Sequence, residues 1–288
     1  MTRVPRFLKS LISLLENTYF TLGLIGMLFF ALIGFIGPSI YNVNPFAINY
    51  PPNLPPRENL PLGSDPLGRD VLAQLLHSIR GSLIVGLLAS IISIVIAVIT
   101  GVISAVFGGL VDTIMMRLSD ILLLIPSLLL MIIIASYLPE RTLYHVALVI
   151  GIVSWPGFAK TIRGVVLSVI NSDYISMAIL SGVPKIKLVF VDVVPLVAPY
   201  IAASFALLFS RTVLTEAALS IIGLGVGKEC TLGLMLYIAQ TYFAINYGFW
   251  WTFIPTSLAI VFMSMSFYFI AIGLENLVFP ILGVSKSG

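Results

Sequence analysis

Residues 82–107 read SLIVGLLASIISIVIAVITGVISAVF, a run of twenty-six residues without a charged side chain. A helix of about 20 predominantly apolar residues crosses the hydrocarbon core of a bilayer, so this stretch predicts a membrane-spanning helix. The whole chain has the same character, since 59% of its 288 residues are hydrophobic, 9% are charged and the mean hydropathy is +1.11. A soluble domain carries about 25% charged residues. The composition therefore excludes a soluble enzyme, a nucleic-acid-binding module and a disordered chain.

Five further apolar runs lie on either side of this stretch. The first occupies residues 20–38 and is predicted to stop at Pro38, because proline interrupts a helix. We predict an all-α integral membrane protein with six transmembrane helices, five of them in a core over residues 82–280. The four remaining spans are Ile121–Leu138, Leu143–Ala159 with an extension past Lys160 and Arg163, a helix from near Val193, and Phe249–Leu274.

Residues 39–81 form a polar segment between the first two spans. Seven prolines interrupt any regular element there. The segment ends in a predicted short amphipathic helix, in which Val71, Leu72 and Leu75 are apolar. We expect this segment to be external. Its prolines are Pro45, Pro51, Pro52, Pro55, Pro56, Pro61 and Pro66.

Positive charge is unevenly divided between the two sides of the membrane. With six crossings, both termini, the predicted 108–120 turn and the 160–192 loop share one side. Nine Lys and Arg residues fall on that side and five on the other, and Arg211 lies within the fifth span. Because cytoplasmic loops carry an excess of Lys and Arg, both termini are predicted to be cytoplasmic, including the N-terminal segment 1–19. The nine are Arg3, Arg6, Lys9, Arg117, Lys160, Arg163, Lys185, Lys187 and Lys286; the five are Arg57, Arg69, Arg80, Arg141 and Lys228.

The loop between the fourth and fifth spans carries helix signals of its own. Asn171 or Ser172 can cap a first helix, and Gly182 stands where a left-handed residue would end it. Pro184 suits the first turn of a second helix, which is predicted to end before Pro195. The pattern predicts two short helices over residues 172–194, lying on the cytoplasmic surface as a docking element. An apolar face of the first helix comprises Ile175, Ala178 and Ile179.

This loop resembles the cytoplasmic loop of ABC-importer permeases, written E-A-A-x3-G with a proline thirteen residues after the glycine. Ala178, Gly182 and Pro195 match, while Ser176 and Met177 replace the Glu and the first Ala. Three other stretches resemble the C-type permease subunit of dipeptide and oligopeptide importers. They are PLGSDPLGRDVLAQLL (61–76), GIVSWPGFAKTIRG (151–164) and LTEAALSIIGLGV (214–226).

The resemblance implies a type I ABC-importer permease fold with a cytoplasmic coupling helix in the loop 171–195, placed in the cell membrane. It implies a heterodimer with a related permease, two cytoplasmic ATPase subunits that hold ATP and Mg, and an external binding protein. This chain would bind no cofactor and catalyse no reaction. Short peptides are the implied substrate, with oligosaccharides and nickel as alternatives. The residues implied to couple to an ATPase subunit are Ile175, Ser176, Ala178, Ile179, Gly182 and Pro195.

Several charged residues invite a specific role. Arg69 and Asp70 are predicted to contribute to an external contact with the binding protein or the partner permease. Arg211 and Glu216 lie within the fifth span, where an ionisable residue is costly and normally faces a bundle interior or a water-filled path. They either line the translocation path or brace the structure. In the 108–120 turn, Arg117 can pair with Asp112 or Asp120, and we interpret these residues as a solvated surface cluster that contributes little stability, with contact to an ATPase subunit as the alternative.

Two other functional classes fit the sequence less well. An intramembrane enzyme needs a nucleophile–base pair or a metal-binding cluster at membrane depth, and the spans contain no such pattern. The stretch GLGVGKEC (223–230) fails as a phosphate loop, because Ile222 and Glu229 replace its first glycine and its final hydroxyl residue. A passive channel would be supported by a repeated pore signature, which the sequence lacks. We therefore predict no catalytic and no metal-binding residues.

Overall fold

The structure is a computed structural model that describes residues 14–172, 175, 177, 184 and 187–281, with side chains up to residue 275. The described secondary structure is helical, apart from two isolated β-bridges in the segment between the first two helices. A π-helical turn, Leu188–Val193, leads directly into α6. The described helices are α1 (Thr18–Ile40), α2 (Val71–Phe107), α3 (Gly109–Leu124), α4 (Ser127–Ser136), α5 (Leu143–Ile170), α6 (Val194–Ile221), α7 (Leu232–Thr241) and α8 (Trp250–Ile281).

The described helices provide five to six candidate membrane crossings, in line with the six predicted. Helices α1, α2, α5, α6 with its π turn, and α8 are each long and apolar enough to span a bilayer. The pair α3–α4 is apolar enough to provide the sixth crossing when it is counted as one broken span, and it is bent by 84°. The predicted straight span Ile121–Leu138 is therefore wrong. Pro126 is the physical reason, because the residue before a proline avoids the helical region, and Ile125 is extended, with φ −88° and ψ 126°.

Two predicted helix ends near the polar segment are also wrong. Helix α1 continues through Pro38 to Ile40, since a proline this close to the end removes only one helical hydrogen bond. The predicted short helix before Ser82 is the beginning of α2, which runs unbroken for 37 residues from its N-cap Asp70. Gly81 does not break α2. A Cβ at this position would lie 1.9 Å from the carbonyl oxygen of Cys230, so the glycine permits a close approach.

Two further boundaries differ from prediction. The predicted turn over residues 108–120 is helical from Gly109 onward, because only Gly108 and Gly109 have positive φ and reverse the chain. The predicted break at Pro195 does not occur. The π turn supplies an i→i−5 bond from the Val194 N–H to the Val189 carbonyl, and the helix continues with Pro195 in its first turn, where a missing N–H is tolerated.

Helix α2 lies at the centre of the bundle and packs against α1, α5 and α6, while α8 packs against α1 and α6. Side chains from α2, α5, the π turn and α6 form the largest buried apolar cluster. Residues 41–70, 137–142 and 222–249 lie together at one end of the bundle, which we call the segment end. The Gly227 N–H donates to the Arg141 carbonyl at 2.9 Å, and the Trp251 indole N–H donates to the Ser64 carbonyl at 3.1 Å.

Candidate functional site

At the segment end, the motif of residues 61–76 builds a turn and caps α2. The Asp65 carboxylate accepts hydrogen bonds from the backbone N–H groups of Leu67 and Arg69, both at 2.8 Å, and from the Gln74 amide at 3.0 Å. Gly68 has φ +79°, and a Cβ there would lie 2.2 Å from the Tyr50 carbonyl oxygen. A side chain is therefore excluded sterically as well as conformationally.

Asp70 completes this turn and does not face outward. Its carboxylate accepts from the Ala73 N–H at 3.0 Å and from the Tyr41 hydroxyl at 2.6 Å, and the residue is 1% exposed. Burial and the bond to Asp70 together raise the pKa of the Tyr41 hydroxyl well above its usual value. The predicted external contact by Asp70 is wrong, because its carboxylate is buried and satisfied within the chain.

Arg69 lies in a different environment, beside a cavity of about 400 Å³ at the surface of the segment end. Its guanidinium carbon is 5.7 Å from the centroid of the Phe46 ring, and its Nε atom is buried without a hydrogen-bond partner. The described residues that line the cavity include a second cation, Lys228, and the aromatic rings of Tyr237 and Tyr242, but no carboxylate. Arg69 is thus available for a contact that Asp70 cannot make.

The loop 222–231 is part of the segment end and contains the stretch that fails as a phosphate loop. It contacts the beginning of α5. Glu229 accepts a hydrogen bond from the first N–H of α5, at Leu143, with a distance of 2.8 Å. Lys228 pairs with Glu140 at 2.8 Å, which lowers the pKa of the Glu140 carboxyl and raises that of the Lys228 ammonium. Burial raises the pKa of the nearby Cys230 thiol to about 12.

Glu216 is a buried acidic residue of α6 that is hydrogen-bonded within the bundle. The residue is 1% exposed, and its carboxylate accepts hydrogen bonds from the Ser220 hydroxyl at 2.8 Å and from the Ser82 hydroxyl of α2 at 3.3 Å. Ser82 in turn accepts from the Leu232 N–H at the start of α7, at 3.0 Å. The carboxylate therefore links α2, α6 and α7. Of the two interpretations open from sequence, the geometry favours bracing over a place in the path.

Arg211 has the opposite environment. It is exposed, and its guanidinium carbon lies 5.4 Å from the centroid of the Phe158 ring. Beside it is a cavity of about 220 Å³ at the level of the α3–α4 bend, lined also by the hydroxyl residues Ser127, Ser154 and Thr215. In the described part of the chain, no carboxylate forms an ion pair with Arg211. The geometry favours a place in a path for this residue.

Two ion pairs connect α3 to α5 at the end of the bundle opposite the segment end. Asp112 accepts two hydrogen bonds from the Arg163 guanidinium, the one from Nε at 2.5 Å, and Asp120 pairs with Lys160. The predicted pairing of Arg117 with Asp112 or Asp120 is wrong. Both acids pair with cations of α5 instead, and Arg117 lines the same cavity as these pairs without an ion pair among the described residues.

The predicted coupling loop is described only in part. Ser176, Ala178, Ile179 and Gly182 lie outside the described residues, so their proposed roles remain predictions. Ile175 is fully buried in the apolar cluster of α2, α5 and α6, and it is therefore not on a face that can dock a partner. Met177 is 66% exposed and Pro195 is exposed. The buried Ile175 anchors this loop to the bundle.

The sequence is similar to that of known membrane transport proteins. The family described as "Binding-protein-dependent transport system inner membrane component" matches residues 93–280. The dipeptide transport system permease protein DppC of Escherichia coli (strain K12) is 36% identical over 226 residues, which is 76% of this chain and 72% of that protein. DppC of Haemophilus influenzae is 30% identical over 274 residues, covering 92% and 91% of the two chains. The oligopeptide transport system permease protein OppC of Lactococcus lactis subsp. cremoris is 29% identical over 216 residues, covering 75% and 73%.

Proposed function

This chain belongs to the family of binding-protein-dependent transport system inner membrane components. We propose that it forms half of the translocation path of an ATP-driven importer of short peptides. It is a multi-pass membrane protein and an ABC importer permease, with the type I permease fold. The observation that carries the proposal is the concave surface at the α3–α4 bend. This cavity lies at membrane depth, contains hydroxyl groups and a cation, and is open on one side.

A surface of this kind needs a second subunit. An ionisable group that faces lipid is costly, so it normally faces a bundle interior or a water-filled path. We propose that a related permease covers the open side as a heterodimer, and that two cytoplasmic ATPase subunits drive the pair. ATP and Mg belong to those subunits, and this chain binds no cofactor. Purification of an active complex with two identical permease chains would contradict the heterodimer.

Short peptides are the proposed substrate because the similar proteins carry the names dipeptide and oligopeptide transport system permease. Oligosaccharides and nickel are the alternatives. Uptake of labelled dipeptide, oligosaccharide and nickel by the same reconstituted complex separates the three, and we expect ATP-dependent uptake of the dipeptide alone. The binding protein must be present in each assay, because it delivers the substrate.

We place the segment end outside the cell and both termini in the cytoplasm, because nine of the Lys and Arg residues fall on the terminal side and five on the other. Single cysteines test this orientation in a Cys230→Ser background. Glu58 and Asn171 are exposed and stand at opposite ends of the bundle. A membrane-impermeant thiol reagent added to intact cells should label Glu58→Cys and leave Asn171→Cys unlabelled until the membrane is opened. The reverse pattern would contradict the orientation.

Coupling to the ATPase subunits is proposed for the loop 171–195, with Ser176, Ala178, Ile179 and Gly182 as the contact residues and Pro195 at its end. Ile175 supports this loop from inside the bundle. Ala178→Asp places a charge on the proposed apolar face, and Gly182→Val should strain a left-handed position by about 1–3 kcal/mol. Both variants should insert in the membrane but lose transport, either by releasing the ATPase subunits or by hydrolysing ATP without moving substrate. Parental transport rates in both would reduce this loop to a connector.

The Arg69 cavity is the proposed contact for the external binding protein. Lys228 is already paired with Glu140, so Arg69 is the cation that this cavity offers, and together with the aromatic walls it suits an acidic side chain on a protein surface. Arg69→Gln should weaken stimulation of ATP hydrolysis by the binding protein and make that stimulation less sensitive to salt. Arg57→Gln is the matched control, because Arg57 is an exposed arginine of the same segment that does not line the cavity. Equal stimulation in the wild type and the Arg69 variant would remove this role.

A further inference from the structure

Arg211 is a cation at membrane depth that forms no ion pair among the described residues. It lies ten residues before Ile221, where α6 ends at the segment end of the bundle. Ten residues correspond to about 15 Å along the helix axis. That distance is about half the thickness of the hydrocarbon core. Glu216, an acidic residue of the same helix, is bound to serine hydroxyls and does not pair with Arg211. Arg211 is therefore an uncompensated cation near the middle of the bilayer.

Arg211 lies beside a cavity that is lined by an aromatic ring and by hydroxyl groups. The guanidinium lies over the Phe158 ring, which supports its charge through a cation–π contact and holds it against α5. Hydroxyl groups of Ser127, Ser154 and Thr215 come from α4, α5 and α6 and line the same cavity. The cavity holds about 220 Å³ and opens beside the α3–α4 bend, so it admits part of a small solute rather than a whole folded segment.

We propose that this cavity binds the carboxylate of the transported solute, with Arg211 as its charged partner during passage. The proposal rests on the proposed function and selects among its substrates. A fixed cation in a low-dielectric site repels a divalent metal ion, and a neutral oligosaccharide has no anionic group for a guanidinium. A short peptide always ends in a carboxylate, unless it is amidated. A guanidinium binds a carboxylate with two parallel hydrogen bonds, which favours the free C-terminus of a peptide as the occupant.

Transport of matched peptides tests this assignment in proteoliposomes that hold the complete complex and its binding protein. A labelled dipeptide is compared with the same dipeptide as its C-terminal amide. Arg211→Gln should slow uptake of the free acid about 10- to 100-fold, the value of a hydrogen bond to a charged group. Uptake of the amide should change little, so the ratio of acid to amide falls. Arg211→Lys keeps the charge and should retain more acid uptake than the Gln variant.

Arg80→Gln is the matched control for these variants. Arg80 also stacks on an aromatic ring, with its guanidinium carbon 5.6 Å from the centroid of Phe35, but it does not line the cavity. Its replacement should leave the ratio of acid to amide unchanged. If Arg211→Gln changes neither rate, or slows both peptides equally in an assembled complex, Arg211 does not bind the carboxylate. If the wild-type complex moves no peptide at all, the proposed function fails and not this site alone.

A second measurement keeps Arg211 in place and does not depend on folding of its variants. In a Cys230→Ser background, Thr215→Cys puts a thiol in the cavity, where anionic and cationic methanethiosulfonate reagents compete to modify it. We expect the anionic reagent to react about tenfold faster, because Arg211 attracts it, and the free-acid peptide to slow this reaction more than the amide does. Equal rates for both reagents would show that a carboxylate of the partner permease already neutralises Arg211, and this would overturn the proposal.

Discussion

Replacement of Glu216 by alanine distinguishes a brace from a path residue. The substitution removes the acceptor for the Ser82 and Ser220 hydroxyls in a site that is 1% exposed. Each buried donor left without a partner costs about 1–3 kcal/mol. Because two hydroxyl donors lose their acceptor, we expect a loss of about 2–6 kcal/mol in stability.

Tryptophan fluorescence of the purified complex measures this loss on heating. For a domain of this size, we expect the melting temperature to fall by roughly 10 °C. Ser82→Ala should fall in the same direction by a smaller amount, and the double variant should lose less than the sum, because both changes break one network. The control is Glu140→Gln, whose exposed pair with Lys228 should leave the melting temperature unchanged.

Transport per assembled complex is the second measurement on the same variants. A brace that is weakened lowers the amount of assembled complex and leaves the rate per complex close to parental. If Glu216→Ala melts at the parental temperature but slows transport, the carboxylate contacts the substrate, and its assignment as a brace is refuted.

Three further predictions follow from other contacts. Asp112→Ala and Arg163→Ala should each weaken the α3–α5 contact, and a double-mutant cycle should give a coupling energy of about 1 kcal/mol because both side chains are partly exposed; additive effects would mean that the pair contributes nothing. The Cys230 thiol, with its pKa raised to about 12 by burial, should resist alkylation at pH 8 and react after denaturation, which mass spectrometry can check; rapid alkylation of the native protein would contradict its burial. Because the pKa of Tyr41 is raised in the folded state, its stabilising effect should be complete below pH 10 and be lost as the pH rises above 10, and Tyr41→Phe should abolish that loss in a thermal melt; an unchanged pH profile in the variant would refute the Tyr41–Asp70 link.

The membrane class and the six crossings could be predicted because they depend on local composition. A window of about 20 apolar residues is enough to identify a span, and the cytoplasmic-loop resemblance needed only short motifs. The bend at Pro126 also had a local signal, since the residue before a proline avoids the helical region. Apolar length alone does not indicate this bend, because it measures hydropathy and not helix geometry.

The contacts that define the sites depend on residues far apart in sequence, so local patterns could not supply them. Ser82 and Glu216 are separated by 134 positions, and Asp112 and Arg163 by 51. One general signal was present for the second pair. Charges of opposite sign at the same membrane depth on neighbouring spans tend to face each other, and this rule would have favoured Arg163 over Arg117 as the partner of Asp112. The different environments of Arg69 and Asp70 required the folded turn.

Peptide uptake tests most directly whether this chain is one of the two permease subunits of a peptide importer. Proteoliposomes would contain this chain, its partner permease and the ATPase subunits, with binding protein outside, ATP inside and a labelled dipeptide as substrate. We predict accumulation of the dipeptide that requires ATP, the binding protein and this chain, and that is lost when this chain is omitted. Equal accumulation in vesicles without this chain, or no accumulation by the complete assembly, would contradict the claim.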